Sequence, residues 1–476
     1  MTANHKLRAA LCGIGIQAYW EQFENLRPEL EGYLRLVSAK LSRPGVELLE
    51  LGLIDTADAA RGAGRQCRRA DIDLLFLYVT TYALSNTVLP LVQRAGVPVV
   101  ILNLQPKAAI DYRAFNQLPN REAMTGAWLA YCSACPVPEI ANVFRRAEIP
   151  FHQVTGVLGD GQTWDEVAEW LAAAKVKSVL AEARLGLLGH YYSGMLDVMT
   201  DVTQVSIAFG THAEILEVDE LSALRAAVTQ EEAAARLKDI HALFDVQQDC
   251  PESELLRAAR TSVALDHLVQ QHRLDMLAYY YKGTGNVENE DTMSSIIVGT
   301  SLLTSQNIPV AGEYEVKNVI AMKIMDALGA GGSFTEYYAL DYDADIVLMG
   351  HDGPGHIAIA EGKTKIRPLQ VYHGKVGRGL SVEMSVRYGP VTLLSVAEDE
   401  HDGFKLVVAE GECVAGETLH IGNTNSRYRF PIGARGFVDN WNLHGPAHHC
   451  AVSLGHLSST LERLAKLLGI GFARVC

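Results

Sequence analysis

The chain has 476 residues, 48% of them hydrophobic and 20% charged, with a formal net charge of −15. That length exceeds what one hydrophobic core organises, so two or three domains are expected. The negative balance disfavours a basic face for nucleic-acid phosphates or for an anionic membrane surface, which leaves a small neutral or cationic substrate as the easier partner.

Lys6 and Arg8 precede the apolar run Ala9 to Ile16, which leads into Gln17, Tyr19, Trp20 and Glu21 with no small-residue cleavage site. It reads as a first buried strand and not as a signal peptide. No window approaches the ~20 apolar residues that span a bilayer. Short strands are expected over Leu7–Ile14, Glu47–Leu53, Leu74–Val79 and Pro98–Leu102, with helical patterns between them. Val/Ile/Leu-rich strands separated by helices predict a parallel sheet covered on both faces, with ligands at the carboxyl ends of the strands. Those ends carry Gln17, Thr80, Thr81 and Asn103, which serve equally well as ordinary caps in loops.

The eight cysteines are scattered, which fits a reducing, cytoplasmic setting. Cys132 and Cys135 form a C-x-x-C with no second pair at zinc-ribbon spacing, and they read as ordinary thiols on a buried helix. Further on, the pattern predicts helices over Pro138–Ala147 and Trp164–Ala174 and a strand near Phe151–Val154. A second α/β unit is expected to open with the strand Lys177–Ala181. Gly186–Gly194 then reads as a loop, followed by long charged helices near 217–243 and 252–272, the strand Met276–Tyr280 and a turn over Lys282–Gly285.

After residue 330 the texture becomes β-like, with a closing helix over Leu457–Leu468. The expected class is therefore α/β: two doubly wound parallel-sheet domains, then a mostly antiparallel β domain at the C-terminus. The expected boundaries are an N-terminal domain over 1–176, a central domain over 177–328 and the β-rich domain over 329–476.

Three segments concentrate polar residues. Ile308–Glu313 reads as a strand turning into a helix, with Glu313 in the first helical turn. Gly332–Tyr338 puts Glu336 on a strand after a glycine turn, and Ile346–His351 ends a strand on His351. Far downstream, His444–His449 adds imidazoles in a bent loop. Two carboxylates and two imidazoles suit a divalent first-row cation such as Mn²⁺, Co²⁺ or Zn²⁺. Such a cation polarises a carbonyl and stabilises the enediolate left when a neighbouring C–H loses its proton. Each residue has an ordinary alternative: the helix dipole favours a glutamate at an N-terminus, and histidines end strands and sit in loops.

In order and spacing, Ala311-Gly312-Glu313 with Lys317, Gly332-Ser333-Phe334-Thr335-Glu336-Tyr337, Leu348-Met349-Gly350-His351 and Gly445-Pro446-Ala447-His448-His449 resemble the metal-site motifs of the L-arabinose isomerase family, which is related to L-fucose isomerase. The resemblance implies an aldose–ketose isomerase that works through an enediol. It implies Glu313, Glu336, His351 and His449 as metal ligands, with the two glutamates as proton carriers. His448 is left open as the alternative ligand, or as a substrate contact with Gln17 and His190. Mn²⁺ is the implied cofactor, with Co²⁺ or another divalent cation as substitutes, and a monosaccharide is the implied partner. The family's site lies at a subunit boundary, so a homo-oligomer, trimer or hexamer, is implied.

Two places depart from the family: Leu102-Asn103-Leu104-Gln105-Pro106 stands where a histidine-rich segment is typical, and Asp352-Gly353-Pro354-Gly355-His356 follows His351. Both are expected to face the sugar. An L-fucose or D-arabinose isomerase, a metal-dependent lyase or epimerase, and a non-catalytic sugar-binding protein are the competing readings. Tyr279–Tyr281 reads as a strand end packed at an interface, Gly329–Gly332 as a turn, and Lys375 and Arg378 as surface cations.

Overall fold

The computed structural model describes residues 5–283, 285–369, 371–372, 375–376, 378–401 and 403–476. Thr284 of the expected 282–285 turn, Gly374, and the side chain of Lys375 lie outside these. The chain divides into two compact units, one over 3–178 and the other from Val179 onward.

The first unit is a five-stranded parallel sheet of β1 (Leu7–Ile14), β2 (Val46–Ile54), β3 (Leu74–Tyr78), β4 (Val99–Gln105) and β5 (Phe151–Val157), in the order β2-β1-β3-β4-β5. The inner strands β1, β3 and β4 are buried almost throughout, while edge strands β2 and β5 alternate with exposed positions. A parallel sheet covered on both faces requires this distribution. At its carboxyl ends Thr80 and Thr81 are buried, and their hydroxyls donate to the carbonyls of Ile14 and Leu129. Asn103 donates to the Thr155 hydroxyl at 3.3 Å. These polar residues tie the sheet ends together. Cys132 and Cys135 are joined by a disulfide, with Cys132 buried and Cys135 exposed, which corrects the expectation of two ordinary thiols on a buried helix.

The second unit corrects the expected strand over 177–181. The helix Gly161–Glu182 runs straight through it, and the first strand of the next sheet is β6 (Arg184–Gly189), where a loop was expected. Val176, Val179 and Leu180 are all buried, the i, i+3, i+4 spacing of one helix face. Strands β6, β7 (His212–Leu216), β8 (Met276–Tyr280) and β9 (Val310–Ala311) form a parallel sheet in the order β9-β8-β6-β7.

The C-terminal strands are β10 (Ser333–Asp341), β11 (Ile346–His351), β12 (Gly389–Glu398), β13 (Phe404–Val414), β14 (Thr424–Arg429), β15 (Cys450–Leu454) and β16 (Gly471–Arg474). They pair in the order β12-β15-β10-β11-β14-β13-β16, and β12 also pairs with β13. Six strands therefore close on themselves, all antiparallel, with β16 added in parallel to β13. Their interior is filled by Val347, Met349, Leu393, Val407, Tyr428 and neighbours. The fold class is thus α/β with two parallel sheets and a mostly antiparallel C-terminal sheet. The helix expected at 457–468 forms over Ser458–Leu468, and β16, not that helix, ends the chain.

Candidate functional site

Strand register explains why three distant residues meet. Glu336 on β10 pairs with Gly350 on β11, and Thr335 pairs with Cys450 on β15. His351 and His449 are each one residue from those partners, so both flank Glu336 on the adjoining strands. Gly350 permits the close crossing: a Cβ there would lie 1.8 Å from the Thr424 carbonyl oxygen. His351 Nε2 stands 4.0 Å from Glu336 Oε1. Phe334 packs against both imidazoles, its ring 4.3 Å from that of His351 and 4.5 Å from that of His449.

Glu313 arrives differently. It is not in the first turn of the helix, which begins at Val316. Glu313 and Tyr314 are consecutive residues at φ 56° and 62°, a left-handed conformation that non-glycine residues adopt at a cost of about 1–3 kcal/mol each. The turn is held by Tyr314 N donating to Tyr279 O (2.9 Å), by Glu315 N donating to Gly312 O (3.0 Å), and by packing of Tyr314 on Tyr191. It brings Glu313 Oε2 to 3.3 Å from His449 Nε2 and 3.8 Å from His448 Nε2.

Two overlapping groups result. Glu313, His448 and His449 each offer a donor atom within 4.8 Å of the others, and so do Glu336, His351 and His449. His449, 1% exposed, belongs to both. The structure brings together all five residues singled out in the sequence around this point. Of the other candidates, Gln17 lies in the first unit, exposed at the start of the short helix Ala18–Gln22. His190 packs edge-on against Tyr280 at 5.3 Å. His356, expected to face the sugar, is instead buried against Asp326 at 3.1 Å. Asp352 lies 3.3 Å from His351 Nδ1, which also accepts from Gly353 N at 3.1 Å.

Behind the cluster is a charged layer of which the sequence had singled out only Lys317. Glu315, fully buried, faces His449 Nδ1 at 3.5 Å and Lys317 Nζ at 3.7 Å. Lys317, 2% exposed, donates to the carbonyls of Asp197 (2.6 Å) and Met199 (3.4 Å). Asp197 in turn accepts from His448 N at 3.0 Å and from His448 Nδ1 at 2.6 Å.

The environment pushes the two glutamates apart. Burial alone would raise Glu313, but His448, His449 and His351 hold it well below the usual carboxylate range. Burial dominates at Glu336 and raises it, against the pull of His449 and His448. For His449, burial opposes charge, yet Glu313 and Glu315 prevail and lift it to about 9. Glu313 Oε2 and His449 Nε2 are buried atoms that make no hydrogen bond among the described residues, although they face each other. Buried polar atoms are normally satisfied, so this juxtaposition fits a cation between a carboxylate and an imidazole. Two hollows flank the cluster. One, of about 310 Å³, is walled by Tyr279, Tyr280 and Glu313; the other, of about 380 Å³, by Asp197, Glu336, Trp441 and His448. Tyr279–Tyr281, at the end of β8, line the first of these hollows.

Residues 331–471, which carry Glu336, His351, His448 and His449, match the family of the L-arabinose isomerase C-terminal domain. Over this region the chain is similar to L-arabinose isomerases. It is 20% identical to the sulfoquinovose isomerase of Priestia megaterium over 353 residues, 74% of this chain and 77% of that one. To the L-arabinose isomerase of a Nocardioides species it is 23% identical over 347 residues, 70% of this chain and 67% of that one. A solute-binding protein of an ABC transporter from Burkholderia multivorans aligns with 68% of the chain and 92% of its own at 17% identity, with a TM-score of 0.15. Within this L-arabinose isomerase-like chain the C-terminal ring supplies four of the five clustered groups, and the turn after β9 supplies the fifth. Among the described residues no helix is long and apolar enough to cross a membrane.

Proposed function

We propose that the chain is a divalent-metal-dependent isomerase interconverting an aldose and a ketose of five or six carbons through an enediol, with Glu313, Glu336, His351 and His449 as ligands. The observation that carries this is the meeting of two carboxylates with His351 and His449, where Glu313 Oε2 and His449 Nε2 are buried, adjacent and unbonded. A bound cation would polarise the sugar carbonyl and hold it with the neighbouring hydroxyl oxygen. Mn²⁺ is the proposed ion, with Co²⁺ as a substitute.

The rest is done by the chain's own groups. Glu313, kept ionised, accepts the C2 proton. Glu336, whose hold on a proton burial strengthens, is the group that returns one to C1. Paired carboxylates with opposed shifts are how a site assigns its base and its acid. Glu315 accepts from Nδ1–H of His449, which fixes the tautomer and turns the Nε2 lone pair toward Glu313. Asp197 likewise orients His448, whose Nε2 faces Glu313 at the rim and is suited to a sugar hydroxyl. Assembly into a trimer or hexamer belongs to the same proposal and is checked by mass in solution.

The test is direct. Dialysis against chelator should remove aldose–ketose turnover, and Mn²⁺ or Co²⁺ should restore it. Glu313→Gln and Glu336→Gln should each lose about 10²–10⁴-fold in kcat, the usual contribution of a positioned proton carrier, with the melting temperature little changed. Undiminished turnover in both variants, or indifference to chelator, would sink the reading.

A further inference from the structure

The hollow beside Glu313 has apolar and aromatic walls that also carry two cationic side chains and a second carboxylate, Glu290. Lys282 and Arg378 line it, together with Ile296 and Ile297. Arg378 belongs to an ionic cluster whose charges do not cancel. Among the described residues, the guanidiniums of Arg225, Arg257 and Arg378 pair with two carboxylates, Asp291 and Glu254. Arg378 lies 3.0 Å from Asp291 and 3.7 Å from Glu254. Three cations on two anions leave one positive charge over. The side chains of Arg225 and Arg257 are 16% and 12% exposed and that of Arg378 is 54%, so the surplus is presented at the cavity wall. Arg378 is thus the exposed cation the sequence led one to expect, here set in an ion-pair cluster.

Lys282 adds a second positive charge. Among the described residues it has no carboxylate partner; Glu290, the nearest acid in the wall by sequence, accepts instead from the Gly285 backbone N–H at 2.9 Å. The first residues of the nine-residue helix Ile297–Ser305 also line the hollow, and the partial positive charge of a helix start acts in the same direction.

We propose that the sugar taken by this site bears an acidic group on the carbon farthest from its carbonyl, and that Lys282 and Arg378 hold that group while the carbonyl end lies at Glu313. This deepens the isomerase reading and rests on it. Charge-assisted contacts of this kind discriminate strongly, and an acid matched by two cations is favoured over a neutral hydroxymethyl group.

The experiment uses the full-length, Mn²⁺-loaded protein in sulfate- and phosphate-free buffer. Turnover is compared for D-glucose and L-arabinose, and for hexoses carrying a 6-sulfonate, a 6-phosphate or a 6-carboxylate. The expected result is at least a tenfold preference in kcat/KM for one of the acidic sugars, with a KM that rises with salt. Lys282→Met and Arg378→Met should each lower the acidic-to-neutral ratio by about tenfold; the exposed Lys282 guards against a folding artefact at Arg378. Which acid is preferred distinguishes the three sources. A preference for neutral sugars, or a ratio unmoved by both variants, would overturn the proposal. If the loaded protein turns over no sugar at all, the isomerase reading fails. Calorimetric binding of the non-reacting alditols, with and without the terminal acid, then decides the cavity's preference alone: acid-dependent binding that Arg378→Met weakens upholds it, and its absence overturns it.

Discussion

The two halves of the metal-like cluster are built on opposite principles. Glu336, His351 and His449 stand on or beside three neighbouring strands of a closed ring, and ordinary antiparallel pairing fixes their separation. Glu313 stands on a turn whose two non-glycine residues adopt positive φ, and it is held by a handful of hydrogen bonds and a buried ion pair underneath. Regular pairing gives a rigid face at little local cost. A strained turn gives a single side chain an aim that no regular element provides, and it persists because the surroundings over-determine it.

The sharpest way to break that contrast is to remove the support under the turn. Lys317→Met leaves the carboxylate of Glu315 buried without its cation and releases the 197–199 segment. A loss of about 3–5 kcal/mol is expected, the usual consequence of breaking a buried pair, and chemical denaturation measures it. The corresponding break on the ring is Gly350→Ala, whose added methyl would meet the Thr424 carbonyl. About 3 kcal/mol is expected from the forced backbone shift, and a variant as stable as the parent would show that the strands can part. Glu315→Gln keeps the shape but weakens the hold on His449 Nδ1 and leaves Lys317 buried without its carboxylate, so Mn²⁺ affinity should fall about 10–100-fold by titration and stability should fall as well.

Acidity sharpens the comparison further. His449 is raised to about 9 by Glu313 and Glu315 against its burial, so below that pH the metal-free site holds a proton that a cation must displace. Mn²⁺ affinity should therefore climb between about pH 6.5 and 9, approaching tenfold per unit for one proton released. Calorimetry in buffers of different ionisation enthalpy counts that proton, and a flat profile would exclude His449 from coordination. The smallest effect lies far from the site. Glu220 raises His272, against burial and with help from Glu214, above its ordinary 6.5. A raised histidine stabilises the fold fully below pH 6.5, and the benefit fades as pH rises through the raised value. The melting temperature of His272→Asn should trail the parent by a few degrees at pH 6, and the gap should narrow by pH 9.

Much of this was legible in the sequence, for identifiable reasons. The parallel sheets announced themselves as buried runs such as Leu74–Tyr78, and Glu313, Glu336, His351 and the 448/449 pair sit in compact motifs. Other features leave no local trace. Lys177–Ala181 is a short apolar window that fits a strand or a helix equally, and only the long helix around it decides. Nothing in Gly312-Glu313-Tyr314 signals a left-handed turn, because the residues bent that way are not glycines. Glu315, Lys317 and Asp197 join across more than a hundred positions, and a buried ionic layer has no sequence period.

The ring that carries Glu336, His351 and His449 has one further consequence. A sheet that closes on itself has no unpaired border along its circumference, and among the described residues of this sheet the short appended strand Gly471–Arg474 is what offers one. Its connecting segments can therefore be lengthened, shortened or exchanged without unzipping the wall. Swapping the 399–403 or 415–423 connections for unrelated loops should leave cation affinity where it was, making this barrel a frame on which new sugar preferences can be grafted while the chemistry stays in register.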